Sequence, residues 1–340
     1  MTLRLRTRRF QLPLQHPFTI SRGTVTEQPT LIVELDDGEF QGYGEATTND
    51  YYGMTLTRME EALDRVREHL EVIDDFTPER LWESVNALLG EVPFALCALD
   101  QAAYDLWGKR LGRPVYDLLG LAIDDLPVSN FTIGIDSVDR MIAKLREVPD
   151  WPIYKIKLGT PQDIEIVRAL REETDAVIRV DANCGWSVEE TINNSHELKK
   201  LGVEFIEQPL PADRWDDAQV AFQESALPII ADESCIGESD VDRCAGHFHG
   251  INIKLVKCGG ITPARRMIAR ARDLDIKVMI GCMTESTVGI SAIAQLLPLL
   301  DYVDMDGAAL LKTDIASGAR VVRGVCQYPS SNGSGVALLD

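Results

Sequence analysis

The stretch YKIKLG, residues 154–159, places two lysines one residue apart inside an apolar run. In a β-strand, side chains two positions apart point to the same side, so Lys155 and Lys157 would share one face. Helical patterns flank this strand, and a strand between helices is usually buried. Two ammonium groups on one buried face are expected only where acidic groups lie close by in the folded chain.

This run belongs to a series of eight that start about 22–27 residues apart, with helical patterning between them. Eight strands alternating with helices at this spacing predict a (β/α)8 barrel. An open doubly wound sheet is the alternative, and it is disfavoured because no glycine-rich phosphate loop follows the first strand. The runs are VSNFTIG (128–134), IYKIKL (153–158), AVIRVD (176–181), VEFIEQ (203–208), PIIAD (228–232), GINIKL (250–255), KVMIG (277–281) and DYVDMD (301–306).

The beginning of the chain has a different pattern. The segment TLIVELDDGEFQGYGEA (30–46) predicts two strands joined by an Asp-Asp-Gly turn. Helical periodicity follows at 56–72, at 78–90 and at 94–112, and Thr77 is typical of a helix N-cap. This is the pattern of an α+β unit.

Three regions therefore make up the chain. We expect an α+β capping domain at residues 1–120 and a (β/α)8 barrel, which is an α/β fold, at residues 121–320. Residues 321–340 return to alternating sequence rich in glycine and serine, and we expect this C-terminal segment to pack back on the capping domain.

Charge and cysteine content exclude several classes of function. Acidic residues outnumber basic ones by 54 to 34, and the net charge is −20. Such a surface repels phosphate backbones and anionic lipid, so we expect no nucleic-acid partner and no membrane partner. The seven cysteines are odd in number and include no C-x-x-C, which is typical of reduced thiols. A cytoplasmic protein is expected.

Acidic residues stand at the ends of three consecutive runs. Asp181, Glu207 and Asp232 each occupy the C-terminal end of a predicted strand, where barrels collect functional groups. Converging carboxylates repel one another unless a cation lies between them, and oxygen ligands favour Mg²⁺. We expect one Mg²⁺ per subunit at this point. The alternative is that individual acids cap the helices that follow.

Lysines lie on both sides of these acids. Lys157 is on the second predicted strand. Lys254 lies near the end of the sixth strand and Lys257 just beyond it, and the sixth strand lies opposite the second in a closed barrel. A metal that binds a carboxylate would stabilise the enediolate formed when the adjacent carbon loses a proton. One lysine would remove that proton from one face, and another would return a proton to the other face. The pattern predicts inversion next to a carboxylate, unless the lysines only neutralise the acids.

The ordered motifs KIK, DAN, EQP, ADES and NIKLVKCGG resemble the muconate-lactonising subgroup of the enolase superfamily over the whole barrel. The resemblance implies a barrel with an N-terminal capping domain. A Lys or His base acting with Mg²⁺ is a general feature of that superfamily. By position, the resemblance implies metal ligation by Asp181, Glu207 and Asp232, and acid/base chemistry by Lys157 and Lys254.

The same resemblance extends to the surroundings of this centre. Asn183 and Glu233 are expected to support the metal ligands. From its charge and strand position, independently of the resemblance, Lys155 is expected to lie one layer deeper than Lys157, to balance the acids, to tune the basicity of its neighbour and to lie at the substrate site. Since members of the superfamily often assemble, we expect a homo-oligomer.

The last predicted strand indicates the reaction. Asp304 and Asp306 resemble the D-x-D pair with which dipeptide epimerases bind the ammonium of their substrate, although a solvated strand end is the alternative. The expected reaction inverts the α-carbon of the C-terminal residue of a dipeptide by two-base 1,1-proton transfer. Met283 and Glu285, in GCMTES (281–286), are expected to contact the substrate.

By the same resemblance, two loops of the capping domain are expected to set the side-chain specificity. The first, PFTISRGTVTE (17–27), carries Arg22 at a position that binds a glutamate side chain in related enzymes, so L-Ala-D/L-Glu is the first substrate expected. The second, TTNDYYGMT (47–55), resembles a mobile lid with Tyr51 and Tyr52 as wall residues.

Several alternatives remain open at this point. The dipeptide could carry hydrophobic or cationic side chains, or the enzyme could be an N-acylamino acid racemase or an o-succinylbenzoate synthase. A Schiff-base lyase would need one lysine and no triad of carboxylates. A non-catalytic barrel would need neither the carboxylates nor the opposed lysines.

Overall fold

The computed structural model describes residues 3–70 and 76–339. The capping domain begins with a sheet of three antiparallel strands, as the alternating pattern predicts. Asp37 forms the predicted turn, because its Oδ1 accepts hydrogen bonds from the backbone N–H groups two and three residues further along. The strands are β1 (Arg4–Ile20), β2 (Gly23–Asp36) and β3 (Gln41–Thr47).

In the described part of the chain, five helices follow this sheet, and the long helix α4 packs on β2 and β3. Thr77 is the N-cap of α3 as predicted, and its hydroxyl accepts a hydrogen bond from a backbone N–H at 3.4 Å. The helix predicted at 56–72 is wrong in extent, because the helix is interrupted at residues 65–66; residues 71 and 72 lie outside the described part. The helices are α1 (Leu56–Asp64), α2 (Arg67–Leu70), α3 (Pro78–Leu89), α4 (Pro93–Leu111) and α5 (Val115–Leu118).

Eight parallel strands form the second sheet in strict chain order, and each predicted run contains one of them. The sheet closes where Ser129 forms a parallel bridge with Val303 and its hydroxyl accepts a hydrogen bond from the N–H of Met305 at 3.0 Å. The predicted barrel is therefore confirmed. The strands are β4 (Phe131–Ile133), β5 (Ile153–Lys157), β6 (Val177–Asp181), β7 (Val203–Glu207), β8 (Ile229–Ala231), β9 (Gly250–Ile253), β10 (Lys277–Gly281) and β11 (Tyr302–Asp304).

Helices connect the barrel strands, and several begin at a side-chain cap. Ser187 and Glu190 form a capping box at the start of α8, and Ser286 is the N-cap of α13. The helices are α6 (Val138–Glu147), α7 (Asp163–Arg171), α8 (Val188–Lys200), α9 (Trp215–Glu224), α10 (Glu238–Cys244), α11 (Leu255–Cys258), α12 (Ile261–Asp273) and α13 (Thr287–Ala294), with 3₁₀ helices at Leu297–Leu299 and Gly307–Leu310.

The end of the chain contacts helix α4. The N–H of Ser334 donates to Asp105 Oδ1 at 2.8 Å, and Lys109 Nζ donates to the carbonyl of Val336 at 2.9 Å. The domain boundaries near residues 120 and 320 stay a prediction. The contacts with α4 support the expected return of the C-terminal segment to the capping domain. The short strands here are β12 (Ala316–Ser317), β13 (Arg320–Val322), β14 (Val325–Gln327) and β15 (Ala337–Leu338).

Two further features bear on the classes considered above. Within residues 3–70 and 76–339, no helix is both long enough and apolar enough to cross a membrane. All seven cysteines are free thiols, as expected from their odd number and spacing.

Candidate active site

The three acidic strand ends meet in the barrel mouth. Asp181 is the last residue of β6, Glu207 is the last residue of β7, and Asp232 follows β8 directly. One carboxylate oxygen of each lies within 4.8 Å of the others, and all three side chains are buried. Parallel strands in register end at the same level, which is why these sequence-distant acids form one cluster.

Two lysines approach this triad from opposite sides. Lys157 Nζ lies 2.6 Å from Asp181 Oδ2, and Lys254 Nζ lies 2.7 Å from Asp232 Oδ2. Three strands separate β5 from β9 in the sheet, so the two ammonium groups face each other across the acids. This is the arrangement that the sequence predicts.

Lys155 connects the triad to the last barrel strand. Its Nζ is 2.7 Å from Glu207 Oε2, 2.7 Å from Asp304 Oδ2 and 3.3 Å from Asp181 Oδ2. Burial alone would lower the pKa of Lys155, but these three carboxylates, Asp304 foremost, raise it well above its usual value. Lys155 is therefore a fixed positive charge in contact with acids on three strands.

The acids of the triad differ in their pKa values. Burial acts to raise the pKa of Asp232, but the ammonium groups of Lys254 and Lys257 hold it far below its usual range. For Glu207, burial dominates and raises the pKa to about 7, although Lys155 opposes the shift. The pKa values of Asp232 and Glu207 are therefore shifted in opposite directions.

Several buried oxygen atoms at this site have no hydrogen-bond partner among residues 3–70 and 76–339. They include Glu207 Oε2, Glu233 Oε2 and Asn183 Oδ1; the first lies near Lys155 Nζ but without hydrogen-bond geometry. Unpartnered oxygens in the interior are costly, and coordination to a cation would satisfy them. Because all the donors are oxygens, the site fits a hard cation such as Mg²⁺. The three strand-end carboxylates could hold it.

Asn183 and Glu233, both predicted as supports, contact this site. The backbone N–H of Asn183 donates to Asp181 Oδ1 at 2.8 Å, and its Nδ2 donates to Asp181 Oδ2 at 3.2 Å. Asn183 has a φ of 43°, a left-handed conformation that asparagine tolerates better than most residues. This conformation turns both of its N–H donors toward Asp181.

The sequence prediction does not include three further residues that form hydrogen bonds with Asp232 or Glu207. Lys257 Nζ donates to Asp232 Oδ1 at 2.7 Å, and Asn252 Nδ2 donates to Glu207 Oε1 at 2.8 Å. The side-chain oxygen of Gln208 accepts from the N–H of Asp232 at 2.9 Å. Strand alternation was an available signal for Asn252, which lies two residues before the sixth-strand lysine.

The predicted specificity loop 17–27 is mostly strand. β1 and β2 keep pairing as far as Ile20 and Gly23, so only a tight turn remains between them. Ser21 at this turn donates its hydroxyl to the carbonyl of Asn183 at 3.0 Å. The hairpin tip of the capping domain therefore rests on the loop that follows β6.

Arg22 lies at the mouth, but its charge is already paired. Its Nη2 donates to Glu233 Oε1 at 2.7 Å, and its Nη1 donates to the carbonyl of Asn183 at 3.1 Å. The guanidinium also lies 4.5 Å from the ring centre of Tyr51, whose ring packs edge-on against Tyr52. Any substrate carboxylate at this position would compete with Glu233 for Arg22.

The predicted lid segment is a short turn closed by a bridge between Asn49 and Met54. Asn49 Nδ2 lies 3.8 Å from the sulfur of Met283, so the turn contacts the loop that follows β10. Glu285 on that loop is buried, and burial raises its pKa well above the usual value, although Lys254 opposes the shift. The structure thus places Met283 beside the lid and Glu285 in the interior.

Asp304 and Asp306 lie side by side where β11 ends. Asp304 Oδ1 accepts from Asn130 Nδ2 at 2.8 Å, and Asp306 Oδ2 accepts from the N–H of Thr132 at 2.5 Å. Burial and the adjacent Asp304 raise the pKa of Asp306 to about 8. Cys282, a neighbour that the sequence prediction missed, has its sulfur 3.9 Å from Asp306 Oδ1. These two buried carboxyl groups could take up a cationic group between them.

Known proteins resemble this chain over its full length. The family model described as Mandelate racemase / muconate lactonizing enzyme, N-terminal domain, matches residues 4–120, and the model described as Enolase C-terminal domain-like matches residues 138–340. The L-Ala-D/L-amino acid epimerase of Flavobacterium johnsoniae is 55% identical over 337 residues, which are 99% of this chain and 100% of that protein. The chain belongs to the enolase superfamily.

Within the superfamily, dipeptide epimerases are among the similar proteins. The L-Ala-D/L-Glu epimerase of Bacteroides thetaiotaomicron is 39% identical over 96% of this chain and 86% of its own length. The crystal structure of a dipeptide epimerase from Enterococcus faecalis, complexed with Mg and L-Leu-L-Tyr, matches with a TM-score of 0.94 and 30% identity over 99% of this chain and 100% of that one. The predicted membership of this superfamily is confirmed.

Replacing Lys257 tests whether this lysine holds Asp232 in a position that favours Mg²⁺ binding. Lys257→Met removes the ammonium that holds Asp232 Oδ1, so we expect Mg²⁺ to bind about 10–100-fold more weakly, measured as Kd by titration calorimetry. Lys277→Met is the matched control, because Lys277 is exposed and bonds Asp301 away from the mouth. Equal Mg²⁺ affinity of Lys257→Met and the wild type would contradict the assigned support.

Proposed function

We propose that this protein is a Mg²⁺-dependent dipeptide epimerase that inverts the α-carbon of the C-terminal residue of L-Ala dipeptides. The observation that carries the proposal is the placement of Lys157 and Lys254 on opposite sides of one carboxylate triad. The Flavobacterium johnsoniae relative is an L-Ala-D/L-amino acid epimerase, and the Enterococcus faecalis structure contains Mg and a dipeptide. An isomerase acting on amino acid derivatives, as the sequence predicts, agrees with these relatives.

The two opposed lysines explain inversion. A substrate whose carboxylate points at the triad would have its α-carbon between the two Nζ atoms. Lys157 would take the α-proton of one epimer while Lys254 gives a proton to the opposite face, and the reverse reaction exchanges the two roles. Mg²⁺, when bound, would supply electrostatic stabilisation of the charge that develops on the substrate carboxylate.

The ammonium of the dipeptide would bind between Asp304 and Asp306. Burial and the adjacent Asp304 raise the pKa of Asp306, so the two carboxyl groups would gain stability if a cation came between them. Lys155 already neutralises part of the Asp304 charge. A second cation at this pair would therefore interact mainly with Asp306. This pair separates a dipeptide epimerase from an N-acylamino acid racemase or an o-succinylbenzoate synthase, whose substrates have no such ammonium.

The C-terminal residue of the dipeptide substrate would not be restricted to glutamate. Arg22 is paired with Glu233, so a glutamate side chain must displace or share that partner, whereas a neutral side chain leaves the pair intact. The 55% identical relative is named for L-Ala-D/L-amino acids, and the 39% identical relative for L-Ala-D/L-Glu. We therefore place L-Ala-L-Glu among several substrates.

The cellular setting remains a proposal. The net charge of −20 and the seven free thiols support a cytoplasmic enzyme without nucleic-acid or membrane partners. A homo-oligomer is proposed from the resemblance alone.

The two-base mechanism has a direct test. Lys157→Ala and Lys254→Ala should each slow epimerisation of L-Ala dipeptides at least about 10³-fold, because each removes one proton carrier. Incubation with Mg²⁺ in deuterated water, followed by mass spectrometry and chiral separation, measures both exchange and inversion. Each variant should still exchange the α-proton of the epimer that faces its remaining lysine.

Lys200→Ala, which removes an exposed lysine of α8, is the control and should keep the wild-type rate. Epimerisation at the normal rate by either site variant would overturn the two-base assignment. Activity that survives EDTA and is trapped by borohydride would point instead to a Schiff-base lyase.

Removing Asp306 tests the ammonium site. Asp306→Leu should lower kcat/KM for L-Ala dipeptides at least about 100-fold, because the ammonium loses a buried carboxylate partner. N-acetyl-L-Ala dipeptides, which have no ammonium, are the matched substrates and should be poor for the wild type. An Asp306→Leu enzyme with full activity would instead indicate an N-acylamino acid racemase.

A substrate panel tests the side-chain specificity. We expect kcat/KM values for L-Ala-L-Glu and for L-Ala dipeptides with neutral second residues to agree within about tenfold, since the Arg22–Glu233 pair does not select for an acid. Steady-state polarimetry or coupled chiral analysis gives the values. A preference for L-Ala-L-Glu of more than about 100-fold would restore a dedicated glutamate site at Arg22.

A further inference from the structure

The capping domain inserts a buried carboxylate into the start of a barrel helix. Asp100 of α4 is 2% exposed, and its Oδ2 accepts a hydrogen bond from the N–H of Thr262 at 2.9 Å. Its Oδ1 accepts from the hydroxyl of Thr262 at 2.8 Å. The N-cap residue of α12 is Gly260, which has no side chain to cap the helix. Asp100 therefore supplies, from the other domain, the anion that a helix N-terminus favours.

The backbone at this junction is shaped to admit the carboxylate. Gly260 has a φ of 122°, and a Cβ at this position would lie 2.3 Å from Asp100 Oδ2. A second residue of the capping domain holds the preceding glycine, because Trp82 Nε1 donates to the carbonyl of Gly259 at 2.9 Å. Two side chains of the capping domain thus clamp one Gly-Gly turn of the barrel.

That turn is continuous with the segment that carries Lys254. Lys254 is the N-cap of α11, and the N–H groups of Gly259 and Gly260 both donate to the carbonyl of Leu255, at 3.0 and 2.9 Å. On the inner side, Lys257 donates to Asp232 Oδ1. Residues 254–262 are therefore held from inside by the triad and from outside by the capping domain.

The partner base has a different support. Lys157 is the last residue of β5 and pairs with Asp181 of β6 in the ladder, so strand hydrogen bonds fix its backbone. Lys254 follows the end of β9 and lies outside that ladder. A loosened clamp would move one base and leave the other in place.

We propose that Asp100 is a positioning residue for Lys254, so that the capping domain sets the geometry of one of the two bases. The proposal rests on the proposed epimerase function. It predicts an asymmetry between the substrate epimers, because only the epimer whose α-proton faces Lys254 depends on the clamp.

The test measures early α-proton exchange in deuterated water for each epimer of one L-Ala dipeptide separately. In Asp100→Asn, the epimer served by Lys254 should lose at least about tenfold in exchange rate, while the epimer served by Lys157 should change less than about twofold. Lys254→Ala identifies which epimer is which. Burial raises the pKa of Asp100 to about 7, so assays at about pH 8.5 keep its carboxylate ionised.

Asp105→Asn is the matched control. Asp105 lies on the same helix and is fully buried, but its carboxylate accepts from the N–H groups of Tyr43 and Ser334, away from residues 254–262. This variant should leave the ratio of the two exchange rates unchanged. Equal losses on both epimers in Asp100→Asn would reduce Asp100 to a purely structural residue and overturn the proposal.

Backbone amide exchange gives a second readout that needs no turnover. Peptides covering residues 255–262 should exchange faster in Asp100→Asn than in the wild type and in Asp105→Asn. Unchanged amide protection of residues 255–262 in Asp100→Asn would overturn the proposed clamp, even if the α-proton exchange rates of the substrate changed. If the wild-type protein turned over no dipeptide, the proposed function would be refuted. The amide exchange of residues 255–262 would still decide whether Asp100 holds this segment in place.

Discussion

The structure depends on charge balance in the mouth of the barrel. Lys155 Nζ lies 2.7 Å from both Glu207 and Asp304 and 3.3 Å from Asp181, so one buried ammonium joins carboxylates from three strands. Buried acids at such spacing would be very costly without cations among them. The lysines on β5 and after β9 meet this constraint, and a metal ion bound by the three carboxylates would add to the balance. A site with this balance is suited to a substrate that brings a carboxylate and an ammonium.

The two domains contribute different parts of that site. The ends of the barrel strands supply the groups that would perform proton transfer, and strand register sets their spacing. The capping domain supplies the outer wall through the hairpin tip at Arg22 and the turn at Tyr51, both of which contact barrel residues or each other. Its Asp100 also accepts a hydrogen bond at the start of α12, the second helix after Lys254. The docking of the capping domain would therefore affect both the outer wall of the site and the segment that carries Lys254.

The pairing of Arg22 shows why specificity was harder to predict than chemistry. The sequence places an arginine near the mouth, which suggests a partner for a substrate carboxylate. In the structure Glu233, from a loop 211 residues further along the chain, occupies that guanidinium. Likewise, the segment 17–27 resembles a loop of related enzymes, but the two strands of the hairpin keep pairing almost to its tip. Local sequence pattern cannot identify such partners, because the residues meet only when the chain has folded.

Periodicity and strand-end position determined the barrel, the three acids and the lysines on both sides of them, because a repeating β/α unit puts strand ends at one level. The choice of Lys254 and the binding role of the Asp304–Asp306 pair came from the family resemblance. The tertiary structure decided which groups support them. Lys257, Asn252 and Asp100 gain their roles from contacts with residues far away in sequence, and no spacing rule encodes those contacts. Their hydrogen bonds depend on side-chain direction and on burial, which exist only once the two domains have packed together.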